Sequence, residues 1–65
     1  MHILLNGSLG EIPEDCTVAR LLLTLEAKGR LAVEVNGEIV PRSEHETFTL
    51  KDDDRVEVVR AIGGG

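Results

Sequence analysis

The stretch 31-LAVEVNGEIVP-41 decides the fold. Asn36-Gly37 is the favoured pair for a two-residue type I′ turn, because both central residues must adopt positive φ. Such a turn sets Val35 opposite Glu38 and Val33 opposite Val40. Side chains alternate across a strand. Val33, Val35 and Val40 therefore share one face, and Glu34 and Ile39 share the other. The first face is a core face; the second leaves an isoleucine without a partner.

Working outward, "HILLN" (residues 2–6) has strand composition, and Asn6-Gly7 repeats the hairpin signal. "SLGEI" returns and Pro13 stops it. The first two strands are expected to pair antiparallel. "DCTVARLLLTLEAKG" (15–29) is the helix candidate. Thr17 suits the N-cap, since its hydroxyl can accept from a free backbone N–H. Val18, Leu21, Leu22 and Leu25 form an i, i+3, i+4, i+7 stripe. Leu23 lies about 140° from Val18 on a 3.6-residue period and falls off that stripe. Gly29 suits the left-handed residue after the helix, with Lys28 at the negative end of the dipole. "FTLKDDDRVEVVRA" (48–61) reads as a short apolar segment, an acidic turn and a last strand. Val56 and Val58 point in; Val59 points out.

Two strands, a helix, a hairpin and a last strand make an α+β domain with one helix on one face of a mixed sheet. The last strand is expected beside the first, parallel and central, with the helix as crossover. The other sheet face is left to solvent or a partner.

Composition narrows the function. Sixty-five residues make one small domain, and a single Phe with no Trp or Tyr makes its core aliphatic. A net charge of −5 disfavours nucleic acid and favours basic protein surfaces. No apolar run approaches the roughly 20 residues of a membrane helix. Met1 leads straight into a strand-like stretch, so no leader is expected. The lone Cys16 cannot form an internal disulfide and fits a reducing, cytoplasmic setting.

The chain ends "RAIGGG", Arg60 to Gly65. Glycine-rich ends are often linkers. The sharper reading is that the terminal carboxylate is the functional group. A boundary then falls between a domain, residues 1–62, and a glycine tail, residues 63–65.

"ILLN", "TVARLLLTL", "VEVNGEIVPR" and "RAIGGG" together span nearly the whole chain. Their arrangement resembles the ubiquitin-like β-grasp fold, and most closely the ThiS family, the sulfur carrier proteins of thiamine biosynthesis. The resemblance implies a four- to five-stranded mixed sheet packed on one helix. Gly63 stands where alanine would be equally familiar. The resemblance also implies a carrier rather than an enzyme. A ThiF-like adenylyltransferase would use ATP to activate Gly65, and a cysteine desulfurase or sulfurtransferase would supply sulfur. Thiazole synthase would receive it. No cofactor is expected to be bound, and the free protein is expected to be a monomer.

The chemistry of the tail agrees. A carboxylate is a poor electrophile until adenylation gives it a good leaving group. A persulfide can then displace AMP on the way to a terminal thiocarboxylate. Three extended glycines reach about 10 Å. Without Cβ atoms, Gly63 and Gly64 can thread a narrow channel to deliver Gly65. Val59, Ile39 and Glu34 are expected to form the docking face, with Leu23 a weaker candidate at the rim of the core.

Other residues carry less. Cys16 precedes the helix cap as a partly buried, inert thiol. His2 and His45 sit in different elements without a ligand cluster, so no metal site is expected. Asp52, Asp53 and Asp54 read as a solvated turn rather than a calcium loop. Two readings compete with a thiamine-pathway carrier as relatives in chemistry: the small subunit of molybdopterin synthase, and a ubiquitin-like modifier joined to lysines. A third is a non-covalent interaction module with an incidental tail.

Overall fold

The computed structural model describes residues 1–60; Ala61–Gly65 lie outside them. The expectations for Gly63, Gly64 and Gly65, and for Ala61 and Ile62 as the end of the last strand, fall on that segment.

Strands β1 (His2–Leu5) and β2 (Ser8–Glu11) pair antiparallel, with Leu5 opposite Ser8 and Leu4 opposite Leu9. Asn6 and Gly7 both have positive φ, as a type I′ turn requires. Helix α1 (Val18–Thr24) follows, then β3 (Leu31–Val35) and β4 (Glu38–Val40). Val33 pairs Val40 and Val35 pairs Glu38 across the Asn36-Gly37 turn, in the register that the turn chemistry implies. A 3₁₀ turn, Arg42–Glu44, and β5 (Arg55–Arg60) complete the described residues. The sheet order is β2-β1-β5-β3-β4, with β5 parallel to β1 and antiparallel to β3. The last strand is therefore central and parallel to the first, as expected of a β-grasp domain.

One face of the sheet meets α1. Ile3, Val33, Val35, Val40 and Val56 are buried there with Val18 and Leu21 of the helix. Val58 and Leu22 are half-buried against this core. Cys16 and Leu50 are buried as well, joined by the Leu50 N–H donating to the Cys16 carbonyl at 2.8 Å. The "FTL" segment supplies only an isolated bridge, Thr17 to Thr49, rather than a strand.

The helix is shorter than its apolar stripe implied. Thr17 caps it, accepting from the Arg20 N–H at 3.2 Å. It stops at Leu25, which is exposed, and not near Gly29. Glu26 takes the left-handed position with φ of 54°. Its N–H donates to Leu23, and the Ala27 N–H donates to Leu22. This pair of bonds is the Schellman closure, which needs a left-handed residue but not a glycine. Gly29, also at positive φ, serves the following turn into β3.

Candidate functional site

A single helix can cover only one face of the sheet, so strand alternation delivers the other set of side chains to solvent. Ile39 is 63% exposed and Val59 58% exposed on that face. Glu34 pairs directly with Ile39 on β4 and with Glu57 on β5. The structure therefore brings Glu34, Ile39 and Val59 together. With Ala32 and Glu57 they line one shallow groove. Two carboxylates directly opposite each other repel, at a cost of a few tenths of a kcal/mol. Ala32, Ile39 and Val59 flank them on one side, and Arg55 shares a second groove with both carboxylates.

Leu4 and Leu9 belong to the same face, 39% and 73% exposed. Leu4 is the partner of Leu9 on β2 and of Arg55 on β5. The sequence alone does not single out this pair, although the Asn6-Gly7 turn fixes their register as the Asn36-Gly37 turn fixes that of β3 and β4. Leu23 does not join them. It is 75% exposed on a helix that packs against the opposite face of the sheet.

The hairpin asparagines hold the central strand at its start and past its middle. Asn6 Oδ1 accepts from the Val58 N–H at 2.9 Å, and Asn36 Oδ1 accepts from the Arg55 N–H at 2.9 Å. Asp54 braces the start of β5, accepting from Asn36 Nδ2 at 2.9 Å and from the Lys51 N–H at 2.8 Å. Asp52 accepts from the His2 N–H at 2.8 Å. The acidic turn is thus a backbone staple.

Cys16 is buried, with its Sγ 3.5 Å from the Thr17 carbonyl oxygen. His45 is buried, its Nε2 3.1 Å from the Val40 carbonyl oxygen. No group of three or more His, Cys, Asp or Glu able to hold a metal gathers among the described residues. No described helix is long and apolar enough to cross a membrane.

The comparisons with known proteins each match all or nearly all of the chain. Two curated proteins named thiazole synthase, from Paramagnetospirillum magneticum and Magnetococcus marinus, are each 39% identical over 66 aligned residues. They match the whole of this chain, which spans only about a fifth of their length, 20% in each. A crystal structure of the thiamine biosynthesis protein ThiS from Geobacter metallireducens superposes with a TM-score of 0.88 at 33% identity, covering both chains completely. A solution structure of a thiamine biosynthesis protein from the same organism gives 0.83 at 33% identity, covering 100% of this chain and 88% of that one. The ThiS family model matches residues 3–65. With a ubiquitin-like β-grasp fold and a match over nearly its full length, this chain belongs to the ThiS family.

Proposed function

We propose that the chain is a sulfur carrier whose Gly65 carboxylate is the working group. The observation that carries this reading is the extent of the family match, which runs through the glycines to Gly65. The glycine run thus belongs to the family pattern and is not an appendage to it. A ThiF-like adenylyltransferase would join the carboxylate to the α-phosphate of ATP and release pyrophosphate. A persulfide on a cysteine desulfurase or sulfurtransferase would then displace AMP. A second thiol would reduce the resulting acyl disulfide, leaving the thiocarboxylate on Gly65.

Thiazole synthase is the proposed acceptor. Support comes from the two relatives of that name, each of which contains a segment similar to this whole chain. Docking would use the open sheet face around Ile39 and Val59, where exposed apolar area lies beside the strand that leads to the tail. Glu34 sits within it, and Leu23 is a separate candidate on the helix.

Intact-protein mass spectrometry tests the reading. After incubation with ATP, the adenylyltransferase and a desulfurase with cysteine, the chain should gain one sulfur in place of one oxygen. Conjugates of higher mass would indicate a modifier instead. An unchanged mass would leave only a non-covalent module.

A further inference from the structure

The two ends of β5 differ in what surrounds them. Its first residue, Arg55, follows the acidic turn Asp52–Asp54, which is bonded to His2 and Asn36. Its last residue, Arg60, pairs with Leu31 at the start of β3. Leu31 forms part of an open groove between the end of α1, β3 and the 3₁₀ turn. Lys28, Arg30, Arg42 and His45 line that groove over a floor of Leu22 and Leu31, with no carboxylate among the lining residues. Directly paired residues on neighbouring strands project from the same face. Arg60 therefore stands at the groove's rim. Four of the chain's seven Lys and Arg residues converge there, although the chain carries twelve Asp and Glu.

Fold stability does not account for this convergence. Cations favour the C-terminus of a helix, but the effect fades beyond the last turn. The last turn of α1 holds no basic residue, and Lys28 and Arg30 lie past its Schellman closure. Like charges collected at one end of a small domain repel one another. They are useful when a partner supplies the opposite sign.

We infer that the groove of Lys28, Arg30 and Arg42, with Arg60 at its rim, docks an acidic surface segment of the enzyme that adenylates the tail. This rests on the carrier reading. Its argument is charge complementarity and position: the groove adjoins Arg60, from which the chain continues into Ala61–Gly65. The cations gathered beside Arg60 would be drawn to an acidic channel mouth, so that the chain arrives tail first. Steering of this kind acts on association and weakens as salt screens it.

The test is ATP–pyrophosphate exchange with a ThiF-family adenylyltransferase from the same source, measured at low and high salt. Lys28→Glu with Arg42→Glu should raise KM roughly tenfold or more at low salt, and the difference should shrink at high salt. Lys51→Glu is the control. It places the same kind of charge reversal beside the acidic turn, away from the groove, and should leave KM near the wild-type value. Melting curves check that each variant is folded, and Lys28→Gln with Arg42→Gln gives a milder second pair with a smaller rise. An unchanged KM for folded groove variants, with normal wild-type exchange, would overturn the inference alone. No exchange by the wild-type chain would remove both the carrier reading and this occupant. Saturable shifts of the Lys28–Leu31 amides with inorganic pyrophosphate at fixed ionic strength, competing with the enzyme, would overturn the occupant by assigning the groove to a phosphate-bearing ligand.

Discussion

Val58 donates its N–H to the Oδ1 of Asn6 at 2.9 Å, and Asn6 Nδ2 donates back to the Val58 carbonyl at 3.4 Å. β1 has ended by this point, and the chain has turned into its first hairpin. The asparagine side chain continues the parallel ladder where the backbone no longer can. It ties β5 to the first hairpin two residues before the strand ends at Arg60.

The two bonds differ in length, and so should their removal differ in cost. Asn6→Asp keeps the short bond's acceptor and the tolerance for positive φ, and loses only the long bond. Asn6→Gly suits the φ of 49° but loses both. Chemical denaturation should show Asn6→Gly less stable than wild type by about 1 kcal/mol, with Asn6→Asp closer to wild type. Amide exchange at Val58 should quicken in the glycine variant. Equal stability of the two variants would contradict the ladder role.

Glu26 occupies a left-handed position that glycine takes without strain. Glu26→Gly should therefore stabilise the domain by about 0.5–1 kcal/mol, while Gly29→Ala should destabilise it, since Gly29 has φ of 91°. Thermal melts of the two variants check the opposite signs.

Leu21 and Leu23 sit two residues apart on one helix and face opposite ways. Leu21→Ala removes a buried side chain and should cost roughly 2–5 kcal/mol. That is a large share of the ~3–10 kcal/mol expected of a domain this size. Leu23→Ala should change stability by less than about 0.5 kcal/mol. Denaturant midpoints will separate them.

How much of this was legible follows from where the information lies. The hairpins were readable because Asn-Gly demands one turn type, and that turn sets register. Val33, Val35 and Val40 then fell on one face and Ile39 on the other. The place of β5 followed from a single helix serving as crossover. The glycine signal at Gly29 misplaces the helix end, because Glu26 closes α1 through backbone bonds that composition does not mark. Leu25 belongs to the stripe by period and yet lies exposed at the cap, where the helix ends. The side-chain bonds of Asn6 and Asn36 were invisible for a different reason. Each joins residues far apart in sequence, 52 positions for Asn6 and Val58. The basic groove needs α1, β3 and the 3₁₀ turn assembled before its cations meet. Leu23 read correctly as off the stripe, but the side of the molecule it occupies required the packing.

Val59→Asp tests the sheet face. The side chain is exposed, so the variant should fold and lose at most about 1 kcal/mol through poorer strand propensity. Binding to thiazole synthase or to the adenylyltransferase, followed by calorimetric titration, should weaken tenfold or more. Leu23→Asp, on the helix side, should bind both partners as wild type does if the sheet face is the docking surface. Weakened binding by Leu23→Asp alone would move that surface to the helix.

The central claim is that the carboxylate of Gly65 is the activated group, and deletion of Gly65 tests it most directly. Removing it draws the carboxylate back by about one residue length, ~3.5 Å, from the α-phosphate. Gly64→Val adds a branched side chain that a glycine-width channel should exclude. Neither change removes a side chain from the core, so the melting curves should match wild type. ATP–pyrophosphate exchange with the adenylyltransferase should nevertheless fall by about a hundredfold or more for the truncated chain, the scale on which ~1 Å misplacements already act. Exchange by the truncated protein at the wild-type rate would contradict the account and return the glycines to the status of a linker.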